Sequence, residues 1–175
     1  MEKSFRYVAV AALIGLGIWG WRVLFPSPER VIRSRLNALA KAVSFGPNEG
    51  VLAKAYNTQK LTGFFTPDVE IDVDLRGYPP QTLSGRDEVL NAALYAHSNL
   101  NGLKVQFSGI NVALGADRIT AKVNLTGRAI LPGSEHEFNV LEFNFLLRKV
   151  DGQWLIYQVQ TVKTLSLSRP ALELA

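Results

Sequence analysis

The chain has 175 residues, with 19 basic side chains, 15 acidic side chains and no cysteine. This length suits one globular domain with an appendage, and the lack of cysteine excludes disulfides, thiolate metal ligands and a cysteine nucleophile. Residues 1–41 hold seven basic and two acidic side chains, and the rest of the chain is near neutral. Because a nucleic-acid-binding domain gathers basic residues on its folded surface, we expect no nucleic-acid partner.

An apolar segment near the amino terminus predicts a membrane anchor over residues 1–26. Residues 7–21 carry no charged side chain, and the apolar character continues beyond Arg22. About 20 apolar residues span a bilayer, and Trp19 and Trp21 suit its interface with water. The residues that follow the apolar core make a poor signal-peptide cleavage site. A cleaved signal peptide and a buried helix are the alternatives to this uncleaved anchor.

The charged residues before and after the anchor favour opposite orientations in the membrane. Four arginines follow the segment by residue 35, and they favour keeping that side cytoplasmic. They also suit anionic lipid head groups. The very short tail that carries Lys3 and Arg6 favours the reverse orientation. We expect a single-pass membrane protein whose domain is extracytoplasmic, in the periplasm of a bacterium.

Two helices are predicted to open the domain, which we assign to residues 27–165. Ser27–Glu29 combines an N-cap serine, a proline at the first helical position and an early acidic residue. Apolar side chains then recur at helical spacing. Asn48 is predicted to cap a second helix, which carries Tyr56 on its apolar side and ends at Gly63.

A strand and a third helix are predicted next. Residues 68–75 alternate between acidic and apolar side chains, which is typical of a strand with one buried face. Four carboxylates share the outer face, but a regular strand cannot wrap an ion, so we expect no metal site. Residues 86–98 predict a helix that Ser84 and Asp87 cap together. The apolar face of this helix carries His97.

Four long antiparallel strands complete the predicted domain. The first covers residues 103–114 and the last covers residues 154–163. The two between them, at residues 119–128 and 141–148, alternate between apolar and polar side chains over most of their length. This period indicates strands with one buried face. Asp151-Gly152 predicts a tight turn in which glycine adopts a positive φ.

The register of the two middle strands is predicted from a turn at Leu131–Ser134. With that turn, Leu125 faces Leu141 and Val123 faces Phe143, so that apolar side chains meet at every step. A slip of one residue would turn every apolar side chain to the other face. We therefore expect the apolar side chains of both strands to face the interior.

The order of these elements resembles the nuclear-transport-factor-2-like superfamily, which includes the ketosteroid-isomerase-like and SnoaL-like proteins. The resemblance is carried by Phe64–Val69 at a helix-to-strand junction, Leu83–Val89 at the entry to the third helix and Arg148–Trp154 at the last hairpin. It implies an α+β fold in which a curved, mostly antiparallel sheet wraps around three helices as a cystatin-like cone. A predicted tail, residues 166–175, follows this domain.

The candidate ligand pocket is the interior of the implied cone. Val123, Phe143 and Phe145 are assigned inward, and none of them can titrate. His97 is the sharpest candidate for chemistry, because a buried imidazole beside a cavity can act as a general base or orient a ligand. A core or rim histidine with one hydrogen bond is the alternative. No catalytic set of the family matches this sequence residue for residue.

Three tyrosines and the outer sheet face are the remaining candidates. Tyr56, Tyr95 and Tyr157 can present hydroxyl groups to a cavity, or they can pack in the core with the hydroxyl at its rim. The predicted outer face pairs Lys122 with Asn144 and Asn124 with Glu142. Such polar pairs suit an interface between two copies of the chain, and a solvated face is the alternative. The residues predicted to form that face are Thr120, Lys122, Asn124, Thr126, Glu142 and Asn144.

Two functions of different classes are compatible with these patterns. The first is a membrane-tethered, non-catalytic domain that binds a partner protein or a small apolar ligand. Single-anchor domains of this shape also resemble assembly components of bacterial secretion systems. The second is a small isomerase, dehydratase or cyclase that uses His97 as its base and Tyr56 as a hydrogen-bond donor. A structural subunit of a membrane complex is a further alternative. No cofactor is expected in any of them.

Overall fold

The computed structural model describes residues 27–47, 50–74, 79–132 and 138–162. Over these ranges the chain forms three helices and one six-stranded sheet. The elements are α1 (Pro28–Val43), α2 (Val51–Thr62), β1 (Phe65–Val73), β2 (Gln81–Ser84), α3 (Gly85–Asn99), β3 (Lys104–Leu114), β4 (Thr120–Ile130), β5 (Phe138–Val150) and β6 (Gln153–Thr161).

The predicted anchor, residues 1–26, and the predicted tail, residues 166–175, both lie outside the described residues. Among the helices in the described part of the chain, none is long and apolar enough to cross a membrane. The described residues all follow the predicted anchor segment in sequence.

The sheet has the strand order β2-β1-β6-β5-β4-β3. Only the β1–β6 pair is parallel, and the other pairs are antiparallel. Irregularities interrupt the ladders of β3 with β4, β4 with β5, and β5 with β6. Since each bulge bends its strand and increases the local twist, this sheet departs from a flat layer. β2 and β3 are its two edges.

The core lies between one face of this sheet and the helices. Ile32 and Leu36 of α1 are fully buried, as are Val123 of β4 and Leu147 of β5. Phe145 of β5 is only 4% exposed. These side chains belong to one continuous apolar cluster. The predicted inward orientation of Val123 and Phe145 is therefore confirmed.

The β4–β5 register differs from the prediction by two residues. Leu125 pairs with Phe143 and not with Leu141, and the same shift holds along most of the hairpin. A register irregularity between Arg128 and Ala129 accounts for part of the shift, and the connection is longer than the predicted four-residue turn. Because the shift is an even number of residues, the apolar side chains keep the predicted face.

The start of α1 is confirmed, and the start of α2 is not. The hydroxyl oxygen of Ser27 accepts a hydrogen bond from the backbone N–H of Arg30 at 3.4 Å. The second helix begins at Val51, and its N-cap residue is Gly50, which offers no side-chain cap. Asn48, the predicted cap, lies outside the described residues.

The entry to α3 uses a different acidic residue from the one predicted. The carboxylate of Glu88, and not that of Asp87, accepts a hydrogen bond from the backbone N–H of Ser84 at 2.6 Å. The side chain of Arg86 donates to the carbonyl oxygen of Phe65, with Nε at 2.8 Å. This bond joins the start of the helix to β1. The short strand β2, just before α3, was not predicted.

Two hairpin turns hold the last strands in place. Val150 pairs with Gln153 across the predicted Asp151-Gly152 turn, and both turn residues have positive φ, 48° and 81°. This turn is confirmed, and such a pair of conformations matches the right-handed twist of the flanking strands. In the β3–β4 turn, the carboxylate of Asp117 accepts hydrogen bonds from the backbone N–H and the hydroxyl of Thr120.

Candidate functional site

An apolar cavity of about 430 Å³ lies between the segment after α3 and the inner face of β3, β4 and β5. This volume is within the range of small-molecule sites. We call it the apolar cavity throughout. Its lining residues are Leu100, Leu103, Val105, Phe107, Gly127, Arg128, Ala129, Leu131, Leu141 and Phe143.

Small residues on β4 make room for the apolar cavity. Gly127 and Ala129 line the cavity at one end of β4. At the other end of the strand, the inward positions carry the larger side chains of Val123 and Leu125, which are buried. A Cβ atom on Gly127 would lie only 2.8 Å from Cε2 of Phe143 and 3.6 Å from Cε1 of Phe107. The two aromatic rings therefore approach the glycine backbone directly, and the strand leaves open space beside them.

The described wall of the apolar cavity consists almost entirely of apolar residues. Among the described residues that line it, Arg128 is the only ionisable one. Within the described ranges, neither a carboxylate nor an imidazole nor a phenol contributes to its wall. Also within those ranges, no three histidine, aspartate or glutamate side chains are grouped so that they could hold a metal ion. This hydrocarbon surface can shield an apolar molecule from water, and none of the described lining residues is a candidate general base.

His97 lies next to the cavity wall but does not line the cavity. Its ring stacks on the ring of Phe45, with centroids 3.9 Å apart and planes at 27°. The backbone of Phe45 pairs with that of Leu103, through hydrogen bonds of 2.8 and 2.9 Å. Since Leu103 lines the cavity, the pairing brings Phe45, and with it the half-buried imidazole, close to the cavity wall.

Tyr56 and Tyr95 face away from the interior, so the expectation that they point inward is wrong. Their side chains are 66% and 71% exposed. On α2 the inward residue near the end of the helix is Leu61, which is 5% exposed. The helix packs against α1 and α3, and this contact selects a different face from the apolar side that the sequence indicated. The α3 side chains that enter the core are Val89 and, in part, Ala93.

Tyr157 also lies apart from the cavity. Leu146 pairs with Gln158 and Leu147 pairs with Ile156, so Tyr157 is the extra residue of a β-bulge. The guanidinium carbon of Arg148 lies 5.5 Å from the centre of its ring. Arg148 follows inward-facing Leu147 and therefore points to the opposite face of the sheet. The bulge thus places the Tyr157 ring beside a residue of the outer face.

One residue of the predicted pocket lines the apolar cavity, and this residue is Phe143. Val123 and Phe145 are inward, as predicted, but they are packed within the core cluster. Sequence reasoning missed the β3 side of the cavity, formed by Val105 and Phe107. Their alternation with polar neighbours was the available signal, because it marks the same inward face as that of β4 and β5.

The family follows from a comparison of sequences. A model of the SnoaL-like domain matches residues 50–160, which is more than half of the chain. The chain belongs to the SnoaL-like domain family. The part of this SnoaL-like protein that matches runs from just before α2 almost to the end of β6. A comparison with curated proteins gave no match.

Solved structures show the same fold at low sequence identity. A protein from Novosphingobium aromaticivorans, provisionally named a scytalone dehydratase, has a TM-score of 0.60 at 17% identity, covering 77% of this chain and 83% of that one. A nuclear-transport-factor-2-like protein of unknown function from Pseudomonas putida has a TM-score of 0.60 at 12% identity, with coverages of 82% and 92%. A cystatin-like protein from Nostoc punctiforme has a TM-score of 0.59 at 11% identity, with coverages of 82% and 97%. The predicted cystatin-like α+β fold is confirmed, and at these identities the likeness concerns the fold alone.

Proposed function

We propose that this SnoaL-like domain is a non-catalytic binding module that holds a small apolar ligand in the apolar cavity. The observation that carries the proposal is the composition of the described part of the wall, in which every lining residue except Arg128 is apolar. Transfer of apolar surface out of water stabilises a complex by about 25 cal/mol per Å². A ligand that fills this cavity gains affinity from hydrocarbon contact, with few polar groups to fix a reacting bond.

The proposal includes a membrane tether at residues 1–26, with the domain on the extracytoplasmic side. The tether rests on the length of the uncharged segment and on its tryptophans. Arg30 and Arg33 are exposed on the first turns of α1, directly after that segment. Basic residues at this place suit the anionic head groups of a bilayer surface. Extraction of the full chain by detergent, but not by carbonate or high salt, is the expected result of membrane fractionation.

A second copy of the chain is the protein partner that the outer sheet face supports best. A depression of about 510 Å³ on this face is lined by polar side chains of β4 and β5. Asn124 pairs with Asn144 and Thr126 with Glu142, in place of the predicted pairs. Amide groups both donate and accept hydrogen bonds, so they suit a two-fold interface in which the same patch meets itself. Replacement of Asn124 by arginine is expected to convert a cross-linkable dimer into a monomer.

A second candidate function is an isomerase, dehydratase or cyclase that uses His97 as its base. The half-buried imidazole near the cavity wall favours it, and so do the provisional names of two structural neighbours, a scytalone dehydratase and an aromatic ring hydroxylase. The position of His97 outside the described cavity lining and the exposure of Tyr56 favour the binding module instead. If a turnover assay reveals an activity, loss of that activity in His97→Gln with ligand binding retained would support this second function.

The test of the binding module uses a cavity-filling variant and a matched control. Ala129 lines the cavity, and Ala113 is an exposed alanine on β3, outside the lining. The full chain in nanodiscs of zwitterionic lipid is titrated with radiolabelled 1-decanol by equilibrium dialysis, and partition into empty nanodiscs is subtracted. Ala129→Phe is expected to lose at least about tenfold in affinity, equivalent to about 1.4 kcal/mol, whereas Ala113→Phe should bind like the wild type. Saturable binding that Ala129→Phe leaves unchanged would contradict the proposal, and so would a wild type that fails to bind.

A further inference from the structure

A second depression, of about 870 Å³, lies between α1 and β3 beside the apolar cavity. We call it the basic groove, because the charged residues in the described part of its lining are all cationic. They come from the last turns of α1, from the start of β3 and from one position on β4. The lining residues are Asn37, Ala40, Lys41, Ser44, Lys104, Val105, Gln106, Phe107, Ser108 and Arg128.

The basic groove and the apolar cavity share part of their walls. Val105, Phe107 and Arg128 line both depressions. A molecule can therefore contact the apolar cavity with one end and the basic groove with the other, across the first residues of β3. The apolar cavity and the basic groove therefore meet along β3.

The wall between α1 and β3 is held by hydrogen bonds to the edge of the sheet. The hydroxyl of Ser44 accepts a hydrogen bond from the backbone N–H of Val105 at 2.8 Å and lies 3.4 Å from its carbonyl oxygen. The next residue, Phe45, pairs with Leu103 through its backbone. These contacts fix the end of α1 against β3. The groove is thus a feature of the folded state and does not need a ligand to form.

The charge of the groove has one sign. Lys41, Lys104 and Arg128 contribute to its lining, and among the described residues no carboxylate does. The chain beyond residue 41 is otherwise near neutral, so this concentration of cations is local. The potentials of neighbouring like charges add, and they attract an anion most strongly at low ionic strength.

We propose that the ligand of this site is an anionic amphiphile of the fatty-acid class. Its hydrocarbon body occupies the apolar cavity, and its carboxylate lies in the basic groove among Lys41, Lys104 and Arg128. This inference rests on the proposed binding function and adds the class of ligand to it. Exposed ion pairs contribute little individually, so most of the affinity comes from the hydrocarbon, and the head group supplies selectivity for acids over alcohols.

The test compares decanoate with 1-decanol on the full chain in zwitterionic nanodiscs at about pH 8, where the carboxylate is ionised. Partition of each probe into empty nanodiscs is subtracted. At about 50 mM salt, decanoate is expected to bind about tenfold more tightly than decanol, and the ratio should fall at about 1 M salt. The variant Lys41→Gln/Lys104→Gln is expected to bring the ratio to about twofold or less. The control Lys60→Gln/Lys149→Gln removes two exposed lysines that do not line the groove and should keep the ratio.

Decanol binding separates a failure of this inference from a failure of the proposed function. If neither probe binds, the proposed function fails, and the inference fails with it. If both probes bind with equal affinity, the apolar cavity stands as a binding site and the anionic head group is overturned. An acid preference that survives in Lys41→Gln/Lys104→Gln also overturns the placement of the head group. The affinity of each variant for decanol reports that its cavity is intact.

Discussion

The inner face of the sheet has two halves, which are built from the same strands. One half is packed into the core, and the other half lines the apolar cavity. In the packed half, Val123, Phe145 and Leu147 belong to the buried core cluster together with side chains of α1. In the open half, Phe143 and Ala129 line the apolar cavity. Strand alternation assigns a side chain to a face of the sheet, but the elements that cover that face decide whether it becomes core or binding site.

Phe143 and Phe145 are close neighbours that differ in burial. They lie two residues apart on β5, and their ring centroids are 6.1 Å apart in an edge-to-face arrangement. Phe145 is 4% exposed, whereas Phe143 is only partly buried and borders the cavity. A side chain with neighbours on all sides contributes more to stability than one whose neighbour on one side is open space. The two rings should therefore respond differently to the same truncation.

The largest expected effect comes from truncating these two rings in turn. Phe145→Ala should lower the free energy of unfolding by about 3–5 kcal/mol, because it leaves a cavity in a packed core. Phe143→Ala should cost about 1–2 kcal/mol, since only part of its surface is buried. Urea denaturation of the full chain, followed by the change in tryptophan fluorescence as buried Trp154 becomes exposed, measures both. Equal losses would show that the two halves of the face are packed alike.

The next effect comes from adding one methyl group at a glycine in each of two regions. A Cβ on Gly115, in the β3–β4 turn, would lie 2.2 Å from the hydroxyl oxygen of Thr120 and 2.8 Å from Oδ1 of Asp117. A Cβ on Gly127 would meet the ring of Phe143, which can move into the open cavity.

Gly115→Ala is therefore expected to destabilise the protein more than Gly127→Ala, within the range of about 1–3 kcal/mol that overpacking costs. Gly127→Ala should also weaken decanol binding, because the displaced ring enters the apolar cavity. Urea denaturation and the dialysis assay measure the two effects. If Gly127→Ala were the more costly substitution, the ring would have no room to move, and the cavity would be smaller than the structure shows.

Much of the packed half was predictable from the sequence, because period-two alternation is a local signal. It assigned Val123 and Phe145 to the interior, and it survived an error in register because that error was two residues. The bulge that holds Tyr157 gives no comparable signal, and it depends on how β5 meets β6. One extra residue in a strand changes the face of the side chains beyond it.

The open half was less predictable, because a cavity forms where no helix or loop packs against the face of the sheet. The orientation of Tyr56 depends on how α2 packs against α1 and α3, and tertiary contacts of this kind leave no signal in the local sequence pattern. The stacking of His97 on Phe45 accompanies the backbone pairing of Phe45 with Leu103, which joins residues far apart in sequence. Helical spacing identifies an apolar stripe, but it does not say which neighbour covers each part of that stripe.

The smallest expected effect is a pH dependence at Asp117. Hydrogen bonds from the backbone N–H of Thr120, from its hydroxyl and from the N–H of Ile119 hold the pKa of the Asp117 carboxyl below its ordinary value. A group with a lowered folded-state pKa stabilises the fold above its unfolded value of about 3.9, and that stability is lost as the pH falls through the folded value.

Asp117→Asn should therefore lower stability at neutral pH and flatten the loss of stability below about pH 4. Thr120→Val removes the hydroxyl donor but keeps the backbone donor, so it should give a slope between those of Asp117→Asn and the wild type. Urea midpoints measured from neutral to acidic pH give the three slopes. Because this turn lies at the end of β3 and β4 away from the apolar cavity, the decanol affinity at neutral pH should be the same in all three proteins. A change in that affinity would mean that the turn and the open half of the sheet are coupled, and that the two halves of the inner face are not independent.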